Sequence, residues 1–377
     1  MIRTIKIKLP VSPEVFLPTI NAYTEAFNYV CSIGYSQKDF NNISLHKKTY
    51  KITSTYLPSQ LAISSRMKAY ATLKPLKYLI KDNKIECPSS KRMSILYDIR
   101  SFSTAFDKGI VNLLTLKGRI KIPIKVPEYF KKYLTWRRKS ATLFIRKNKV
   151  FLNIVFEKEN PIVEQSNITT GIDRGINNIA VCSNNKFYSG KNTKKVCKKC
   201  QTLRSALQSC GSKSAKRHLR KLSKKENYFK TDTNHRISKE IIGQLPGGSI
   251  IVLEDLSEVR NKNRGKKLNK AIGSWAYYQL EQFLTYKGEE KGLKIEFINP
   301  AFTSQKCSKC GHTEKQNRKG SNFRCCRCGF QLNADLNASR NIKQNHLITI
   351  SNQIGVSVNN PIVSSQYFAG SGTSPRL

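Results

Sequence analysis

Two C-x2-C pairs, Cys307 with Cys310 in CSKCG and Cys325 with Cys328 in CRCG, stand 14 residues apart. Four soft thiolates at this spacing suit a tetrahedral Zn2+. A glycine follows each pair, Gly311 and Gly329, and a residue without Cβ permits the tight turn of a zinc knuckle. The same spacing is open to disulfide pairing. Cys326 adjoins Cys325, but only Cys325 has the x2 spacing to Cys328. The segment 303–332 is therefore expected to be a zinc ribbon, too small to fold without its ion. The chain then runs directly into ADLNASRNI, a helix start with Asp335 in its first turn.

The setting of that ribbon is strongly cationic. Lys and Arg number 67 against 24 Asp and Glu over 377 residues, a formal charge of +43 spread along the chain. Such a field attracts polyanions, and phosphate neutralisation makes nucleic acid the expected partner, ahead of a merely solvated basic surface. The opening MIRTIKIKLP has no apolar core of signal-peptide length, and no later run approaches the ~20 apolar residues of a membrane span. The expectation is a protein of the cytoplasm and nucleoid, without membrane association. Eleven cysteines, most of them in CxxC pairs among lysines, then favour metal over bridges.

At 39% hydrophobic content the chain can bury two or three separate cores. IRTIKIKL alternates as a strand, and helical patterning follows from about residue 14 to 80, with further helical turns expected near 91–105. Period two returns over 109–157 in GRIKIPIKVP, TLFIRKN and KVFLNIVFE. Residues 1–13 and 106–165 thus read as a small β-barrel, and 14–105 as a helical insertion in it. KENPIVEQSNIT, 158–169, reads as a linker. Beyond it TTGIDRG and SIIVLEDL are strands. NIAVCS and KFYSG form a hairpin, 191–243 is a Lys-rich helical stretch, SWAYYQLEQFLTYKGEEKG is a helix and KIEFINP a strand. This order predicts a mixed α/β sheet over 166–302 and 333–345, with 346–377 a mobile tail. No repeat of fixed period is present.

Carboxylates are scarce enough here for their positions to be informative. Asp173 ends the first strand of this sheet, Glu254 ends the apolar strand IIVLEDL, and Asp335 begins the helix after the cysteines. A strand apolar on both faces lies mid-sheet, so acids at the ends of adjacent strands converge at one rim. Asp335, Ala338, Ser339 and Ile342 share one helix face, whose small residues allow close approach to the sheet. Three such carboxylates form a hard oxygen site for Mg2+ or Mn2+, suited to phosphodiester hydrolysis. Each acid taken singly is also compatible with a helix cap or an ion pair. Asp255 points to the opposite face of its strand and reads as a capping acid. Cys197, Cys200 and Cys210 read as surface or helix-packing thiols, and His235 and Cys182 as packed side chains.

GIDRGINNIAV, IIVLEDL, NPAFTSQKCSKCGH, FRCCRCGF and ADLNASRNI occur in the order and spacing of the transposon-encoded TnpB nucleases, the OrfB-type proteins related to compact type V CRISPR effectors. NHRISKEII and SWAYYQLEQFLTYK are similar as well, so the resemblance is specific over about 166–345 and looser before it. It implies an RNase H-like (RuvC) nuclease with an inserted zinc ribbon, and an N-terminal wedge barrel carrying a helical recognition insertion. It also implies a guide RNA from the transposon end and cleavage of double-stranded DNA beside a short flanking motif. Carried over by position, Asp173, Glu254 and Asp335 match the catalytic acids, and Cys307, Cys310, Cys325 and Cys328 the zinc ligands. Two positions depart from the family pattern: Asn333 stands where an acid is frequent, and Arg174 follows Asp173 where many members have an apolar residue.

By the same resemblance, the helix through PSQLAISSRMKAY lies against the flanking DNA. Tyr56 and Gln60 are then expected one turn apart at its start, and a Gln can pair with adenine in the major groove. A core-packed Tyr56 and a solvated Gln60 are the other reading. An RNA-guided DNA endonuclease is the expected activity. A CRISPR-associated effector of the same chemistry, a nuclease-dead RNA-guided regulator and a plain zinc-ribbon nucleic-acid binder are its alternatives.

Overall fold

A computed structural model describes residues 1–82, 84–164, 166–258 and 276–354. The chain divides into two compact units, Met1–Glu159 and the remainder from Asn160.

In the first unit, β1 (Ile2–Lys8), β7 (Lys149–Glu157), β6 (Arg137–Arg146) and β2 (Ile95–Asp98) form one antiparallel sheet in that order. A second contains β3 (Phe102–Ala105), β4 (Ile110–Thr115) and β5 (Gly118–Pro123). Alternation decides which side chains enter the core: Ile5 and Ile7 are buried while Lys6 and Lys8 between and after them are exposed. They join Val111, Leu113, Leu143, Leu152 and Ile154 in one cluster between the sheets. The expected barrel is thus two sheets around a shared core and not one continuous ladder. The chain turns the corner between them at Asp98–Ser101, where Asp98 Oδ1 accepts the Ser101 N–H at 2.9 Å. The helical turns expected near 91–105 are in fact strands β2 and β3. Ile95 and Tyr97 are buried with Leu96 and Asp98 half-buried, a period of two that four-residue runs show only weakly.

Three helices lie between β1 and β2: α1 (Leu17–Ser36), α2 (Asn42–Tyr56) and α3 (Ser59–Lys81). Asn41 caps α2, its Oδ1 accepting the Ile43 and Ser44 N–H groups. Phe27, Val30, Leu45, Ala69 and Leu73 hold the three together in a satellite core. Pro58 disfavours helical backbone at the residue before it, and Leu57 is extended at φ −134°. The expected single helix through Tyr56 and Gln60 is therefore two helices: Tyr56 ends α2, and Gln60 lies in the first turn of α3.

The second unit is built on a five-stranded sheet in the order β10 (Lys186–Ser189), β9 (Asn178–Cys182), β8 (Thr169–Asp173), β11 (Ile250–Glu254), β12 (Lys294–Ile298). β8, β11 and β12 are parallel, and the β9–β10 hairpin is antiparallel. Between β10 and β11 run α4 (Lys191–Cys210) and α5 (Lys213–Gln244), and α6 (Tyr277–Lys291) joins β11 to β12. One face of the sheet presents Ile172, Ile251 and Leu253 to Ile237 and Ile241 of α5 and Leu280 and Leu284 of α6. On the other face Ile250 and Val252 pack against Ile342 of α7 (Ala334–Ile354). A Cβ on Gly171 would sit 2.2 Å from the Ser339 carbonyl oxygen and 2.6 Å from the Lys343 nitrogen, so only glycine admits α7 at this depth. A tail is expected from 346, but α7 runs through that point to Ile354 with His346 buried; residues 355–377 lie outside the described residues. Among the described residues no helix is long and apolar enough to cross a membrane.

Candidate active site and zinc ribbon

Strand alternation aims the acids. Gly171 and Val252 face α7, so Asp173 and Glu254, two residues on, face it too, each at the carboxyl end of its strand. Asp335 enters the same space from the first turn of α7. Asp173 feels both other acids: burial, then Glu254, then Asp335 push it up to about 8, against the pull of Arg318 and Arg174. Protein surrounds most of that carboxyl, although the side chain keeps a solvent-accessible edge. Burial likewise raises Glu254, opposed by a hydrogen bond from Thr303 and by Arg174 and Arg318. A carboxylate forced toward protonation by burial and by neighbouring acids is stabilised as an anion by a hard cation, and the all-oxygen donor set fits Mg2+ or Mn2+.

Glu254 and Asp335 also have protein partners. Thr303 Oγ1 donates to Glu254 Oε1 at 2.5 Å. Asn178 Nδ2 donates to Asp335 Oδ2 at 2.9 Å, and Arg318 Nη2 to Asp335 Oδ1 at 3.0 Å. Arg174 is fully buried between strands. Its Nη2 donates to the Glu254 carbonyl at 2.5 Å and its Nη1 pairs with Glu281 Oε2 at 2.5 Å. None of Arg174, Asn178, Thr303, Arg318 and Glu281 was singled out as a site residue from the sequence. Arg174 and Asn178 lie in the quoted motif that holds Asp173, and Thr303 and Glu281 in other quoted motifs; Arg318 lies in none. Asn333 proves to be the N-cap of α7, its Oδ1 accepting the Asp335 and Leu336 N–H groups at 3.0 and 3.2 Å. Asp255 is exposed and accepts the Ser257 N–H at 2.9 Å.

The ribbon carries a three-stranded sheet of β13 (Arg318–Lys319), β14 (Asn322–Arg324) and β15 (Gln331–Asn333). Among the described residues, only Cys307, Cys310, Cys325 and Cys328 bring three or more potential ligand atoms within 4.8 Å of one another; the three carboxylates do not meet that closely. Cys307 and Cys328 sulfurs are 3.8 Å apart, and those of Cys310 and Cys325 3.6 Å. Zn–S bonds of about 2.3 Å in a tetrahedron give edges of about 3.8 Å, whereas a disulfide requires about 2 Å. The cluster therefore fits Zn2+ and not bridges. Each knuckle closes on a left-handed glycine, Gly311 at φ 77° and Gly329 at φ 69°, whose N–H reaches back to the carbonyl of Cys307 or Cys325. Cys326 is exposed and outside the cluster.

The ribbon is fastened to the active-site helix by two buried amides. Asn337 accepts the Ser308 N–H and donates to the Lys306 carbonyl; Asn341 donates to the carbonyls of Thr303 and Lys306. Elsewhere in this unit Cys182 and Cys200 are buried, Cys210 is exposed, and the His235 ring stacks on Phe283 at 3.9 Å. Tyr56 is half-buried against the first unit's core and Gln60 is half-exposed.

Residues 153–259, which hold Asp173 and Glu254, match the OrfB_IS605 family model, described as "Probable transposase". Residues 277–342, which hold the ribbon and Asp335, match the Cas12f1-like TNB domain. The chain is 41% identical over 117 residues to the CRISPR-associated endodeoxyribonuclease Cas12f1 of Sulfoacidibacillus thermotolerans, covering 30% of this chain and 26% of that one. It is 37% identical over 127 residues to a TnpB-like protein of Aquifex aeolicus, covering 31% and 42% respectively. Both alignments span well under two thirds of the relative's length. A solved Cas12f1–sgRNA–target DNA complex contains a chain of the same fold, with a TM-score of 0.64 at 17% identity, covering 88% of this chain and 82% of that one.

Proposed function

We propose that this relative of the TnpB-like and Cas12f1 proteins is an RNA-guided DNA endonuclease whose RuvC-like second unit hydrolyses phosphodiester bonds. The observation that carries the reading is the convergence of Asp173, Glu254 and Asp335 from two parallel strands and one helix, close enough that the other two acids raise Asp173. Among its relatives is an endodeoxyribonuclease, and a solved neighbour of the same fold holds an sgRNA and target DNA. The +43 charge supplies the attraction that both polyanions need.

The acids would hold Mg2+ or Mn2+, with Asp173 and Glu254 offering oxygens from the sheet rim and Asp335 from the helix. When bound, the divalent metal supplies activation of the attacking water and charge stabilisation of the leaving oxygen. The chain's part is to orient. Thr303 fixes one Glu254 oxygen, leaving the other for a ligand, and Asn178 aims Asp335. Arg318 occupies Asp335 Oδ1 and would yield that oxygen when a cation arrives. The four thiolates would hold Zn2+ structurally, since all four positions of the tetrahedron are filled by protein.

The test is cleavage of a DNA target matched to RNA co-purified with the full chain. Asp173→Ala, Glu254→Ala and Asp335→Ala should each abolish cutting while RNA and DNA binding persist. Full cleavage by any one of these variants would overturn the assignment. Sequencing the co-purified RNA separates a guide derived from a transposon end from a CRISPR repeat.

A further inference from the structure

The tie between the two acid-bearing strands is broken where it matters most. The β8–β11 ladder ends at Ile172 paired with Leu253, one residue short of Asp173 and Glu254. On its other flank the end of β11 remains tied, with Glu254 in register with Ile298 and the Asp255 N–H on the Ile298 carbonyl at 2.9 Å. Toward β8 the link at this level is a side chain. Arg174, directly after Asp173, sends Nη2 to the Glu254 carbonyl and Nη1 to Glu281 of α6, both at 2.5 Å. Its side chain is 0% exposed, and its Nε has no hydrogen-bond partner. Glu281 is itself fixed from behind, because Leu280 and Leu284 beside it are core residues.

A buried ion pair of this kind is weak evidence for stability, since apolar residues of similar volume often replace such pairs without loss. Its geometry has a different use. A guanidinium is a rigid planar fork, and here one prong grips the backbone of the residue bearing one acid while its own backbone adjoins the other acid. Metal sites require carboxylates held to within about 0.5 Å, whereas Asp173 is paired on its outer flank with Val181 and Glu254 with Ile298, so neither ladder fixes the distance between them. We propose that Arg174, braced by Glu281, is a positioning residue that fixes the separation of Asp173 and Glu254 for divalent-metal binding. This rests on the nuclease reading above, and concerns a position where the sequence departs from the apolar residue common in its family.

The experiment measures Mn2+ binding by calorimetry and thermal unfolding in chelator, on the full chain with its co-purified RNA, taking Asp173→Asn as the blank for the acidic site. The double variant Arg174→Met/Glu281→Leu removes both charges together. It should unfold within a few degrees of the parent yet bind Mn2+ at least tenfold more weakly, with RNA affinity unchanged. Parental Mn2+ affinity in that variant would overturn the proposal. Should it fail to fold, two single variants decide. Glu281→Gln keeps an acceptor for Nη1 and should hold Mn2+ within threefold of the parent. Arg174→Lys, a single point donor that cannot serve both acceptors, should lose at least tenfold. Equal affinities in those two would overturn the proposal. Mn2+ binding by the parent no tighter than by Asp173→Asn would instead bring down the nuclease reading itself.

Discussion

Replacing Gly171 by alanine tests whether α7 must lie hard against β8 to place Asp335. The added Cβ would meet the Ser339 carbonyl oxygen at 2.2 Å and the Lys343 nitrogen at 2.6 Å, both backbone atoms that no rotamer change can move aside. Ordinary contact needs roughly 3.4 Å, so helix and strand must part by about 1 Å. Overpacking of this kind costs about 1–3 kcal/mol, which for a unit of this size lowers Tm by roughly 2 to 12 °C. Function should suffer more than stability. Ser339 is one turn along α7 from Asp335, and Gly171 shares a strand face with Asp173 two residues on, so the strain separates those two acids directly. A misplacement of about 1 Å can cost on the order of a hundredfold in rate. Guide-directed cleavage under single-turnover conditions, read beside thermal unfolding, checks both numbers. Gly243→Ala in α5 is the matched control: an added Cβ there meets nothing within 4 Å, so stability should rise slightly and cutting should hold. Parental cleavage by Gly171→Ala would refute the claim that close packing of α7 sets the site.

The acidic centre should be destabilising while it lacks metal. With Asp173 raised to about 8 from 3.8, the folded state loses stability as pH climbs through the unfolded value, and the loss is complete above the folded one. Asp173→Asn should therefore raise the Tm of the chelator-treated protein at pH 8, with the gain fading toward pH 4; a pH-independent difference would contradict this. Cys307→Ser should abolish bound zinc in elemental analysis and expose residues 303–332 to hydrogen exchange, with cutting reduced through Asp335. Gln60→Ala should change the preferred flanking motif in a randomised-target cleavage assay. A base contact discriminates by about 1–3 kcal/mol at one position, and an unchanged motif would return Gln60 to a solvated role.

The parts of the fold readable in the sequence were those with a strong local period or fixed chemistry. IIVLE declared a central strand because it is apolar on both faces, and the four thiol positions followed from spacing alone. Short elements failed: ILYD and FSTA, at four residues each, carry too few repeats to distinguish period two from 3.6. The α2–α3 break has its signal in Pro58, although helical patterning continues on both sides of it. The acids at the site could be named because carboxylates are rare in this chain. Their surroundings could not, because Arg318 reaches Asp335 from 17 residues away along the chain and Glu281 reaches Arg174 from 107, and one Arg among 67 cations carries no mark of its neighbour.

The paired asparagines on α7 limit how this chain can be shortened. Removing residues 303–332 whole would strand the amides of Asn337 and Asn341 in a buried setting, where each unpaired polar group costs about 1–3 kcal/mol. It would also release Glu254 from Thr303. Keeping the chain through Ser308 and rejoining before Gln331 would retain the groups that both amides and the threonine meet, but would remove Cys310, Cys325 and Cys328 and with them the zinc site that orders that segment. The excised part would include Arg318, freeing Asp335 of its ion pair with that guanidinium. Miniaturisation along that line would alter the electrostatics of the reaction centre even where the backbone is preserved.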